Sequence, residues 1–122
     1  MGFVSSYRDL KVWQLGIELT IAVYHLTKVF PVEEKYGLTS QMCRAAVSIP
    51  SNIAEGHGRK SNNELIRFLG IAKGSLAELE TQLIIAEKLG YCNSSKTRKL
   101  LDLTEQESRM LSGLLKSLQK SS

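Results

Sequence analysis

With 122 residues, the chain has room for one domain with a substantial core and needs no metal or disulfide to hold it together. Hydrophobic residues at 43% and charged residues at 23% exclude a disordered or fibrous polypeptide. The formal net charge of +4 is a mild basic excess, which suits an acidic partner such as nucleic acid without requiring one.

Four helical segments follow one another and almost nothing suggests a strand. The first, over about residues 7–29, has Ser6 or Asp9 as a side-chain cap for the free backbone N–H groups and stops at Pro31. It carries two apolar stripes. Leu10, Trp13, Ile17, Ile21 and Tyr24 form one, and Val12, Leu15, Leu19, Val23, Leu26 and Phe30 form the other, on the opposite side. One stripe suffices for a peripheral bundle helix. The second stripe, Val12, Leu15, Leu19, Val23 and Leu26, is therefore expected to face another copy of the chain, because an apolar patch of that size demands a partner.

The second helix, over about residues 39–56, follows Gly37, with Thr39 or Ser40 as cap and Gly56 and Gly58 at its end. Pro50 lies inside it. A helix starting at Pro50 would be capped by Ile49, which cannot accept a hydrogen bond, so the pattern predicts one continuous helix kinked at Pro50. An internal proline costs about 3 kcal/mol and frees the carbonyl of Ala46, which Ser51 or a water is expected to satisfy. Arg44, Ser48, Asn52 and Glu55 form a polar file beside the apolar stripe of Leu38, Met42, Ala45, Ile49 and Ile53. They are expected to form a structural network, with Arg44 and Glu55 each meeting an opposite charge on a neighbouring helix.

Ser61 and Glu64 read as a capping box opening the third helix, about residues 62–89, with Gly90 as its terminating glycine. Its core face is Leu65, Phe68, Leu69, Ala72, Leu76, Leu79, Leu83 and Ala86. The fourth helix, about residues 95–119, presents Leu100, Leu103, Leu111, Leu114 and Leu118, with Met110 at the edge. Short connections between long amphipathic helices predict an all-α, up-down-up-down antiparallel four-helix bundle forming a single domain over residues 1–122.

Residues 1–9 show no basic start followed by an apolar run, and no stretch approaches the ~18–20 apolar residues of a membrane span. Cys43 and Cys92 match no metal spacing and are expected to be reduced thiols in a cytoplasmic protein. Enzyme signatures are missing: no phosphate-binding Gly-x-x-x-x-Gly-Lys loop, no His-Glu-x-x-His and no Cys-x-x-Cys. His25 lies on the polar flank of the first helix and His57 between two glycines. Glu78 and Glu80, two apart, project differently and make no acid–base pair. No catalytic residue, metal site or cofactor is expected.

The basic residues are the remaining functional signal. Arg59 and Lys60 precede the N-terminus of the third helix, where free N–H groups favour an anion. Lys96, Arg98, Lys99, Arg109 and Lys116 lie along the fourth. Together these seven are the candidate phosphate-backbone contacts, with RNA or DNA as partner. A scaffold that binds another protein, with the charge serving only solubility, is the alternative.

Several strings then become recognisable in order: Tyr7-Arg8-Asp9-Leu10, Val12-Trp13-Gln14, Phe30-Pro31, Tyr36-Gly37-Leu38-Thr39, Arg44-Ala45-Ala46-Val47-Ser48-Ile49-Pro50-Ser51-Asn52-Ile53-Ala54-Glu55-Gly56, Arg67-Phe68-Leu69 and Leu89-Gly90-Tyr91. Over roughly residues 7–92 the chain resembles the 23S rRNA-intervening-sequence proteins, while the fourth helix matches only in general character. The resemblance implies a four-helix bundle assembled laterally into a homopentameric ring. It brings no catalytic residues and no cofactor, because the family name reflects where some members are encoded.

Overall fold

The computed structural model describes residues 6–121, and among them there are helices and no strand. A 3-10 turn at Tyr7–Asp9 precedes α1 (Lys11–Thr27), a second at Val32–Glu34 precedes α2 (Leu38–His57), and α3 (Asn62–Lys88) and α4 (Ser94–Ser121) follow. Each helix packs on two others, in the cyclic order α1, α2, α3, α4. Across the α1–α2 seam, rising numbers on one helix meet falling numbers on the other. Thr20 reaches Ala46 and Thr27 meets Cys43 across the first seam, and Ser48 meets Ser75 across the second.

The helix ends show how local chemistry sets the boundaries. The first helix does not begin at residue 7. Ser6 accepts the Arg8 N–H at 3.1 Å, Leu10 is extended, and the edge of Tyr7 packs on Trp13 with ring centroids 5.3 Å apart. The cap of α2 is neither Thr39 nor Ser40. Glu34, four residues upstream, accepts the Leu38 N–H at 2.9 Å through one carboxylate oxygen. Its other oxygen accepts the Tyr91 hydroxyl at 2.8 Å, so one side chain ties the α1–α2 connection to the α3–α4 connection. The Leu38 N–H and then the Tyr91 hydroxyl hold the Glu34 carboxyl below its ordinary range.

Ser61 accepts the Glu64 N–H at 3.2 Å, half of the expected box; the Glu64 carboxylate turns to Arg67 instead. At the far end of α3, Gly90 has φ +81°. The Gly90 and Tyr91 N–H groups return to the Glu87 and Ala86 carbonyls, the paired bonds that close a helix on a left-handed residue. Asn93 caps α4 through the Lys96 N–H at 2.8 Å.

α2 runs unbroken through Pro50, which is buried. The carbonyl that the proline frees is not met by Ser51, which is exposed. Thr20 on α1 lies 3.0 Å from the Ala46 oxygen and 2.8 Å from the Gly16 oxygen, sharing its one hydroxyl hydrogen between them. This contact turns the helix-breaking cost of Pro50 into an attachment between helices. Thr20→Val is therefore expected to cost about 1–2 kcal/mol in the wild-type chain and markedly less in a Pro50→Ala background, where the helix reclaims the carbonyl. Urea unfolding of the two single variants and the double variant measures the difference.

The core corrects the expectation for the first helix. Val12, Leu15, Leu19, Val23 and Leu26, expected to face another copy, are between 0% and 8% exposed within the single chain. All of them but Leu15 share one core cluster with Met42, Ile49, Ile53, Leu76 and Leu83. Of the opposite stripe, Ile21 at 54% and Tyr24 at 47% exposure point outward, whereas Leu10 and Trp13 pack in part against the core. The reason lies in the neighbours. Gly16 and Thr20, small residues beside the Val12–Leu26 stripe, let α2 and α4 approach on that side.

α4 departs further from its reading. Only Leu100 and Leu111 are buried hydrophobics on it, whereas Leu103, Leu114 and Leu118 are partly covered. Three polar residues, Thr97, Thr104 and Glu107, occupy its inward face.

Candidate nucleic-acid interface

Of the polar file of α2, Ser48 and Asn52 join a network between α2 and α3. Ser48 and Ser75 share a hydrogen bond of 2.9 Å. Asn52 donates to the Ser48 carbonyl at 2.7 Å and to its hydroxyl at 2.9 Å. Glu55 finds its cation four residues on, in the turn that follows its own helix rather than on a neighbouring helix, pairing with Arg59 at 2.6 Å. The i, i+4 spacing of those two residues already permitted this. Arg44 is exposed and has no carboxylate within ion-pair distance among the described residues. It lines a shallow cleft of about 220 Å³ with Gln41, Ser48, Ser75 and Glu78.

The seven candidate basic residues separate into three places. Arg59 and Lys60 lie in the α2–α3 turn. Arg59 is engaged twice, by Glu55 and by the face of Phe68, 4.9 Å from its guanidinium carbon. Lys60 is exposed just before the cap of α3. Arg98, Arg109 and Lys116 share the outer face of α4 by helical spacing, interleaved with Asp102 and Glu105, and Arg98 pairs with Asp102 at 3.8 Å. Lys96 and Lys99 sit apart from both groups. With His25 of α1 they rim a groove of about 460 Å³ between α1 and α4, floored by Ala22, Leu26 and Leu100. None of those three side chains has an ion-pair partner among the described residues.

No single basic patch therefore gathers all seven. By the 1.5 Å rise per residue, Lys96 and Lys116 are about 30 Å apart along α4. At the Lys96–Lys99 groove, two cations from this set converge on a cavity with no acidic residue in its lining. Its third member, His25, was read as a solvated flank residue, since nothing in local spacing shows that α4 lies beside it.

On the other side of α1 the exposed stripe continues into a groove of about 350 Å³ shared with α2, lined by Tyr7, Trp13, Ile17, Val47 and Ala54 among others. Among the described residues no three His, Cys, Asp or Glu side chains are placed to hold a metal ion. No helix is long and apolar enough to cross a membrane. Both cysteines are free.

A protein from Bacteroides thetaiotaomicron VPI-5482, solved by crystallography and described as of unknown function from the S23 ribosomal protein family, has the same fold. The TM-score is 0.80 at 23% identity, covering 86% of this chain and 95% of that one. No protein of curated function is significantly similar to the chain. The model of the 23S rRNA-intervening sequence protein family matches residues 8–113, a span that takes in α1, α2, α3 and most of α4. The chain belongs to the 23S rRNA-intervening sequence protein family.

Proposed function

We propose that the chain is a non-catalytic, cytoplasmic, self-assembling helical bundle that binds nucleic acid, RNA in the first instance, through phosphate contacts. The observation supporting this reading is the α1–α4 groove, where Lys96, Lys99 and His25 stand without carboxylate partners. Phosphate needs no more than positioned cations, and each phosphate neutralised makes binding more salt-dependent. Lys60 and the outer face of α4 add weaker, partly neutralised contacts. Assembly into a ring, pentameric by the family resemblance, would repeat each cluster and combine weak contacts by multivalency.

Filter binding to structured RNA tests this directly. Reversing Lys96 and Lys99 together to glutamate is expected to lower low-salt affinity at least about tenfold and to reduce the salt slope by about 2. Reversal of Arg98, already paired with Asp102, should do less. RNA affinity that is absent at low salt, or that ignores salt, overturns the reading.

The exposed apolar stripe of α1 favours the second reading, a protein-binding scaffold, on one specific ground. Ile21 and Tyr24 are large, apolar and about half exposed on one helix face, which suits a protein surface rather than a phosphate backbone. In the first reading that same stripe is the contact between copies.

A further inference from the structure

Glu107 is the one ionisable side chain that α4 turns inward. It is 0% exposed, and neither carboxylate oxygen receives a hydrogen bond from any described protein group. Its position is defined on two sides. A Cβ built on Gly16 of α1 would come within 3.2 Å of Glu107 Oε2 and 3.3 Å of the Pro50 ring, so the carboxyl occupies the space that Gly16 leaves, beside Pro50 of α2.

The hydroxyls nearest in register are committed elsewhere. Thr104, one turn earlier on α4, donates to the Leu101 carbonyl at 2.9 Å. Thr20, one turn after Gly16, donates to the Gly16 and Ala46 carbonyls.

No cation compensates from any helix. On α1, Lys11, Glu18 and His25 are exposed; on α2, Arg44 and Glu55 are exposed; on α3, Lys73 and Glu78 are exposed and Glu80 is half-buried. On α4 itself, Asp102, Glu105 and Arg109 face solvent. A carboxylate in such a place has neither water nor a counter-charge, and the group holds its proton instead.

We propose that Glu107 is an internal proton switch: protonated, it lets α4 seat against Gly16 and Pro50, and loss of the proton unseats α4 along the α1–α4 seam. Burial pushes its pKa from the ordinary 4.5 up to about 8, consistent with the geometry. The sign follows from linkage. Between the unfolded and folded values the unfolded chain has lost a proton that the folded chain keeps, so stability falls as pH rises through that window. One proton corresponds to a tenfold fall in the folding equilibrium constant per pH unit, at most. Near the upper value the carboxyl ionises in the folded chain, and the cheapest relief is local opening of the helix that carries it.

The experiment compares wild type with Glu107→Gln from about pH 5 to about pH 9, a range set by the two pKa values. Urea unfolding gives stability, and amide hydrogen exchange resolved by helix gives local opening. In wild type, the folding constant is expected to fall with pH by up to about tenfold per unit, and α4 exchange above about pH 8 should outpace α2 and α3 after correction for intrinsic base catalysis. Glu107→Gln should remove both effects. Identical pH profiles in the two proteins, or a titration that leaves α4 exchange in step with α2 and α3, overturns the switch. Should Glu107→Gln fail to fold, infrared spectroscopy of wild type decides. A protonated carboxyl band that persists at neutral pH and disappears together with α4 protection supports the proposal, and the lack of such a band refutes it.

Discussion

Gly56→Ala is expected to destabilise the bundle, by up to about 2 kcal/mol net, although alanine is the better helix former. The position lies in the last turn of α2, against Leu65 and Phe68 of α3. A Cβ there would sit 2.8 Å from the Phe68 Cβ and 3.1 Å from a Leu65 methyl. The Leu65 methyl belongs to a flexible side chain and can rotate. The Phe68 Cβ is fixed to the α3 backbone, so the helices themselves must separate. Overpacking of this kind costs about 1–3 kcal/mol, and the gain in helix propensity returns about 1 kcal/mol. Gly56→Val, with two more carbons and a restricted χ1, should cost more than alanine. Gly70→Ala and Gly74→Ala are the controls. Both positions lie on exposed α3 surface with nothing within 4 Å of a built Cβ, and each should stabilise by about 0.5–1 kcal/mol. Urea midpoints at constant m-value measure all four. Stabilisation by Gly56→Ala would mean that α2 and α3 do not approach as described.

The second large effect separates the two stripes of the first helix. Leu19 is 0% exposed in the core, and Leu19→Ala should cost about 2–5 kcal/mol, a large share of the stability of an ordinary domain. Ile21→Ser, two residues along on the outward stripe at 54% exposure, should leave the stability of the single chain within about 0.5 kcal/mol. On the proposed reading, Ile21→Ser combined with Tyr24→Ser breaks the assembly and leaves folded monomers. Thermal unfolding and native mass spectrometry of the three variants distinguish the effects. An assembly unchanged by the Ile21 and Tyr24 substitutions would remove this stripe from consideration as the contact between copies.

How much was legible in the sequence depends on whether a feature is set by neighbours in the chain or by neighbours in space. The four helices, the Ser61 cap, the Gly90 terminator and the α3 core stripe follow from local spacing. The α1 stripes did not resolve because both are apolar; what chooses between them is the small-residue flank at Gly16 and Thr20, which matters only once α2 and α4 lie beside it. The α2 cap was missed because Glu34 reaches forward across a 3-10 turn that has no apolar periodicity. Glu107 was invisible for a simpler reason: an isolated glutamate in a charged helix is almost always solvated. The basic residues were easy to count, but their division into paired and unpaired cations depends on which carboxylates lie within reach.

The cyclic packing order has a kinetic consequence. Three of the four seams join helices that are consecutive in the chain, and only the α1–α4 seam joins the two ends. Local seams form early because little chain must be looped to make them, whereas the closing seam pays the largest loop entropy. Gly16, Glu107 and the Lys96–Lys99 groove all lie on that last seam. The bundle is therefore expected to complete the Gly16–Glu107 contact and the basic groove together, in one late event.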